Sequence, residues 1–218
     1  MTKLLIKSLF LISAAACAED LSTYRNFRLG TDVATVAKQA GADPAQAKTI
    51  HRRPALMQEL TWNPKAAGSP QAEPARDVVF SFYDGQLYRI AVHYDHYEID
   101  GMTTDDMIDG ISAQYGSATT PPASSVTTLY GDREEILAQW QDSQYRFDLV
   151  RFSYGRDFKL VGTLKSLDAS AEAATLEAVR LDLQDAPQRE AARVAKEDQT
   201  ERARLEKARL ANKAKFKP

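Results

Sequence analysis

The stretch from Asp77 to Asp95, DVVFSFYDGQLYRIAVHYD, constrains the fold more than any other part of the chain. Two runs of alternating apolar residues meet at Tyr83-Asp84-Gly85, which suits a three-residue hairpin loop with Gly in the left-handed region as a bulge. Closed there, the hairpin pairs Phe80 with Tyr88 and Val78 with Ile90, and sets Phe82, Val92 and Tyr94 on the same face. The other face carries Ser81, Arg89, Ala91, His93 and Asp95, with Val79 and Leu87 as apolar exceptions. A two-residue loop would mix Phe80 with Arg89 on one face, and the side-chain period of two makes any one-residue slip flip the whole set. An isolated hairpin is marginal in water, so the aromatic face requires a partner.

The N-terminus reads as an export signal. Met1 to Lys7 carries two lysines, Ser8 to Ala16 is apolar, and Ala16-Cys17-Ala18 supplies a small-residue cleavage site before Glu19. Lys7 leaves that run too short to span a bilayer, and no later segment qualifies, so the mature chain is expected to have no transmembrane helix. Cleavage after Ala18 removes Cys17, the single cysteine, and with it disulfides, thiol catalysis and cysteine-based zinc sites. Ala14-Ala15-Ala16-Cys17 also loosely matches a bacterial lipobox, which would keep Cys17 as a lipid anchor. The expected location is periplasmic or extracellular, with lipid anchoring as the alternative.

About 150 residues between signal and tail are enough for one core or two small fused units. Gly30-Thr31-Asp32 opens a helix with Thr31 as N-cap, Val33, Val36, Ala37 and Ala40 as its apolar stripe, and Gly41 as its end. Asp43-Pro44 predicts a second short helix to about Ile50, and Ala55 to Trp62 alternates as a strand. The loop Asn63 to Arg76 holds three prolines. Thr103 or Thr104 caps a helix with Met107, Ile108 and Ile111 inward and Gly116 as stop. Ser117 to Ser125 reads as a linker, Val126 to Tyr130 and Glu135 to Gln141 as strands. Tyr145 to Tyr154 and Asp157 to Leu164 read as a hairpin turning at Tyr154-Gly155-Arg156.

The two halves repeat an order: glycine, capped helix, glycine stop, polar linker, strand ending in Trp, aromatic hairpin. Val33, Val36 and Gly41 match Ile108, Ile111 and Gly116 at one offset, which predicts duplication. The expected architecture is therefore α+β. Two tandem modules (19–100 and 101–168), each a helix plus a three-stranded antiparallel sheet, would share one sheet with both helices on a single face. The segment Gly101-Met102-Thr103-Thr104-Asp105-Asp106-Met107, followed by Tyr115-Gly116, resembles the helix opening of the SmpA/OmlA (BamE-like) envelope lipoproteins. Their modules, like the duplicated β-lactamase-inhibitor-protein fold, place helices before a three-stranded antiparallel sheet. The resemblance implies an envelope protein that binds other proteins and catalyses nothing, and it assigns no functional residues.

From Ala169 to Gln184 a helix is expected to dock through Leu176, Val179 and Leu183, with Asp185-Ala186-Pro187 breaking or kinking it. Ala186 to Pro218 has ten Lys/Arg against five Asp/Glu and is helix-prone, which predicts a solvated basic tail able to contact an anionic surface. The acidic remainder of the chain disfavours nucleic acid as a partner.

His93 and Asp95 share a strand face, and with His51 they form the candidate set for zinc or another divalent ion. No HExxH spacing, nucleophile elbow, phosphate loop or dinucleotide fingerprint occurs. The expectation is a non-enzymatic exported binding or scaffold protein with no catalytic, cofactor or metal residues. Its contact surfaces would be the outer sheet face (Arg89, His93, Asp95) and the loop Asn63 to Arg76. The alternative is a metal-binding protein or metal-dependent enzyme using His93 and Asp95.

Overall fold

The computed structural model describes residues 20–65, 74–119, 125–127, 133–152, 157–215 and 217. The expected signal segment, most of the proline-rich loop and the Tyr154-Gly155-Arg156 turn lie outside them. Strands β1 (Thr23–Tyr24) and β2 (Phe27–Arg28) form a small hairpin. Helix α1 (Val33–Ala40) is capped by Asp32, not Thr31: the Asp32 carboxylate accepts from Thr35 N–H at 3.0 Å. An ionised carboxylate suits the positive end of a helix better than a hydroxyl does. Gly41 ends α1 at φ 66°.

The helix expected from Asp43 to Ile50 is only a 3-10 turn, Pro44–Gln46. Lys48–His51 is instead a strand, β3, paired with β4 (Met57–Trp62). Pro44 can start a turn, but four residues that find a ladder partner gain more from the sheet than from one further helical turn. β4 begins two residues later than expected, and Leu56 is 39% exposed.

Strands β5 (Ala75–Tyr83) and β6 (Gln86–Tyr94) form the opening hairpin, with one correction. Tyr83 pairs with Gln86, so the loop is the two-residue Asp84-Gly85, both at positive φ (46° and 81°). Asp-Gly fits such a turn, whose twist matches that of the strands. A bulge then restores the inward register: Phe82 pairs with Leu87, Ser81 with Arg89, and Tyr88 is the extra residue. Phe80 consequently faces Ile90 and Val78 faces Val92. Leu87 turns into the main core and Tyr88 to the opposite face, the reverse of the expected assignment.

Helix α2 (Thr104–Tyr115) carries a capping box in which Thr103 and Asp106 each bond the other's backbone N–H. After it come β7 (Ser125–Thr127), β8 (Arg133–Gln141), β9 (Tyr145–Phe152) and β10 (Phe158–Leu164). All eight longer strands join one antiparallel sheet in the order β3-β4-β5-β6-β10-β9-β8-β7. The α+β class holds, and β6 and β10 are neighbours at its centre.

Val36, Ala37 and Ala40 of α1 and Met107, Ile111 and Tyr115 of α2 pack on one face of this sheet. Phe80, Phe82, Leu87, Ile90, Trp140, Phe147, Leu149 and Leu160 rise to meet them. Trp140 Nε1–H donates to the Gly116 carbonyl at 2.9 Å, tying β8 to the end of α2 and satisfying a carbonyl the helix cannot.

The opposite face receives α3 (Lys165–Lys213), which starts at the end of β10 and runs through Pro187 without a break. Pro187 donates nothing to Leu183, but the helix there is exposed, so water can solvate the freed carbonyl. Arg189 spans the same turn, donating to the Asp182 carbonyl at 2.6 Å and pairing with its carboxylate. The docking face is also not the expected one. Ala171, Ala174 and Ala178 are buried, whereas Leu176 and Leu183 are 60% and 72% exposed. Small side chains let α3 lie close over Ala55, Met57 and Tyr88, the residue that the bulge turned outward. Among the described residues no helix is long and apolar enough to cross a membrane.

Candidate functional site

The outer sheet face is built from three rows of cross-strand neighbours, spaced about 7 Å apart along the strands. One row runs Asp77, His93, Lys159, Val150. The next runs Thr61, Val79, Ala91, Val161, Asp148, Gln139. The third runs Glu59, Ser81, Arg89, Thr163, Arg146, Gln141, and α3 begins beside it, with Asp168 3.6 Å from Arg146. Strand alternation puts all three rows opposite the aromatic core.

The first two rows form the candidate site. Their floor is apolar: Val150 and Val161 are buried, Val79 and Ala91 partly exposed. Charged pairs frame it. His93 Nδ1 stands 2.6 Å from Asp77 Oδ1, and Arg76 Nε lies 2.8 Å from Asp77 Oδ2. Lys159 Nζ donates to Glu134 at 2.6 Å, both side chains about 10% exposed, and lies over the Phe152 ring. Asp148 takes Gln139 Nε2–H at 2.7 Å and pairs with Arg146 Nε at 2.9 Å. Burial by itself would raise the Asp77 carboxyl, but the Arg76 and His93 hydrogen bonds prevail and hold it below its ordinary value. Burial prevails at Asp168 and pushes its carboxyl up, despite Arg89 and Arg146.

The residues expected here are only partly brought together. His93 is in the site and Arg89 stands exposed in the third row. Asp95 has left the sheet: it accepts from Lys65 Nζ at 2.8 Å and from Tyr97 N–H at 3.0 Å, opening a turn. His51 sits on the edge strand β3, three strands from β6 and opposite Met57 near the other end of the ladder. His51, His93 and Asp95 are thus not assembled. Among the described residues, no three His, Cys, Asp or Glu side chains converge as a metal ion would need.

Two other hollows lie elsewhere. A cleft of about 750 Å³ is lined by His96, Met102, Thr103, the Glu135–Arg151 pair, Phe152 and Phe158. A groove of about 380 Å³ between the β1–β2 hairpin and α2 holds Tyr24, Tyr94 and Tyr115. Burial pushes all three phenols up, so they stay neutral, and Tyr115 donates to the Thr23 carbonyl at 2.9 Å, pinning the N-terminal hairpin.

No family model, curated protein or solved structure matches the chain. Its function must be sought in the surface itself. Sequence reading did not find the Lys159–Glu134 or Asp148–Arg146 contacts, because a lysine or an aspartate on a strand announces no partner. Both fall in the half of the sheet contributed after α2. The only available signal was strand alternation, which places Lys159 opposite Phe158 and Leu160.

Proposed function

We propose that this chain is an exported, non-enzymatic binding or scaffold protein of the bacterial cell envelope that grips a protein partner on its outer sheet face. The observation that carries the reading is the partly exposed apolar pair Val79 and Ala91, backed by buried Val150 and Val161 and flanked by the Asp77–His93, Glu134–Lys159 and Asp148–Arg146 pairs. An apolar centre inside a polar rim is how protein interfaces are composed, and side chains already held in pairs lose little freedom on binding. The export signal read from Met1 to Ala18 supports the location.

The same reading treats the body as two tandem modules, α1 with β3–β6 and α2 with β7–β10. The strand order mirrored about β6 and β10 supports this, as do the matching glycines Gly41 and Gly116 after each helix. On this reading each module has four strands, one more than the SmpA/OmlA-like pattern implies.

Photo-crosslinking in intact cells tests the proposal. A photoreactive residue at Val79 or Ala91 should give a discrete adduct in the envelope fraction, and one at exposed Leu56 or at exposed Asp105 on α2 should give little. Retention of the chain in the cytosol, or equal labelling at all four positions, would contradict it.

A further inference from the structure

The exposed large apolar residues of α3 are not scattered. Leu183, Val194 and Leu205 recur every eleven residues, and in sequence Phe216 continues the spacing. Eleven residues close in three helical turns at about 3.67 per turn, so Leu183, Val194 and Leu205 fall on one nearly straight line. Leu176 and Val179 flank its beginning within about 35°. Only Leu210 among the exposed large apolar residues of the helix lies off it. The line is about 130° round the helix from Ala171, Ala174 and Ala178, so it faces away from the sheet.

The two edges of the line carry opposite charge. Glu190, Glu197 and Glu201 lie along one; Arg180, Arg202, Arg209 and Lys213 lie along the other, with Asp198 as the exception. We propose that this line is a self-association surface on which two copies of the chain pair α3 side by side, parallel and in register. In a parallel pair related by a twofold axis along the helices, the acidic edge of one copy meets the basic edge of the other. In an antiparallel pair each edge would meet itself, and like charges would repel. Glu197 and Glu201 then face Arg202 of the second copy. Arg202 and Lys213 engage in no ion pair among the described residues. The pairs that Glu197, Glu201 and Arg209 make within their own helix, with Arg193, Arg204 and Glu206, are exposed and weak enough to be shared.

The position of the body agrees. Because α3 docks through its opposite side, the two bodies sit outside a parallel pair and leave the line free. An anionic membrane fits less well. Interfacial helices bury a broad apolar face bordered by cations, and here the apolar line is one residue wide with three glutamates along one border.

Sedimentation of the full-length chain over a range of micromolar concentrations tests the pairing. The mass should rise from one chain to two, and Leu183→Glu combined with Val194→Glu should hold it at one. Leu210→Glu, off the line, should leave the pairing intact. Glu197→Lys with Glu201→Lys should weaken it at least tenfold, and adding Arg202→Glu with Arg209→Glu should restore it. In a chain with Cys17→Ser, Leu205→Cys should form a disulfide between copies, which only a parallel in-register pair permits. A single-chain mass at every concentration would overturn the proposal. So would equal loss of pairing in Leu210→Glu, or co-sedimentation of an unpaired chain with phosphatidylglycerol vesicles.

Discussion

A Cβ added at Gly162 would lie 2.4 Å from Cε1 of Phe147, closer than carbon atoms approach without something moving. Phe147 cannot yield easily, because its ring stacks on Tyr115 at 4.4 Å and Tyr115 is tied to Thr23. Gly162→Ala should therefore cost about 1–3 kcal/mol, read as a lower urea midpoint with unchanged slope. Ionisable groups beside the outer face act in opposite directions. Asp77, with its folded carboxyl held below 3.8, contributes stability that is fully present above that pH and lost as pH falls through the depressed value. Asp168 is raised by burial, so its ionisation above that range works against folding. Asp77→Asn should lower the urea midpoint at pH 7 and flatten its decline in acid. Asp168→Asn should match or exceed the parent at pH 7, the two converging as pH drops below 3.8.

At the scale of elements, α3 divides into a docked part and a projecting part. Beyond Ala178 nearly every residue is exposed, and the remaining helix extends roughly 50 Å. Pairs such as Glu190–Arg193, Arg193–Glu197 and Glu206–Arg209 support it along its length. Pro187→Ala should raise helical circular dichroism while leaving the melting temperature of the body nearly unchanged, because the proline is exposed and lies just past the Arg53–Asp185 ion pair that ties α3 to the body. A matching fall in that melting temperature would show that the projecting part is coupled to the core.

This element also shows what a sequence can and cannot disclose. A cap at Thr103 or Thr104 was legible because a cap is a local device, and the structure takes Thr103, with Asp106 bonding back to it. The docking side of α3 was not, since Leu176, Val179 and Leu183 are the obvious stripe and nothing local says that a bulge has turned Tyr88 outward to meet alanines. The bulge itself hid behind arithmetic: a two-residue loop plus one extra residue gives most of the hairpin the same face pattern as a three-residue loop. Strand β3 was lost because Lys48–His51 is too short to show a period and follows a proline suited to a helix. On the outer face, alternation pointed to His93 and Arg89, while the Asp77 that pairs with His93 and the Asp168 that pairs with Arg146 depend on register and on where α3 lands.

For the whole molecule, the β6–β10 seam joins the two halves into one sheet, so that the outer face spans both. Five residue pairs, from Lys159 opposite His93 to Thr163 opposite Arg89, make up that seam. The Val79–Ala91–Val161–Asp148 row crosses it, so separate movement of the halves would split the proposed binding surface. Native-state hydrogen exchange measures this directly. The amides of Ile90, Val92, Leu160 and Gly162 should rank among the slowest and should open together in one global unfolding event. Fast exchange along β10 while β5 and β6 remain protected would mean that the halves move independently, and would contradict a single fused sheet.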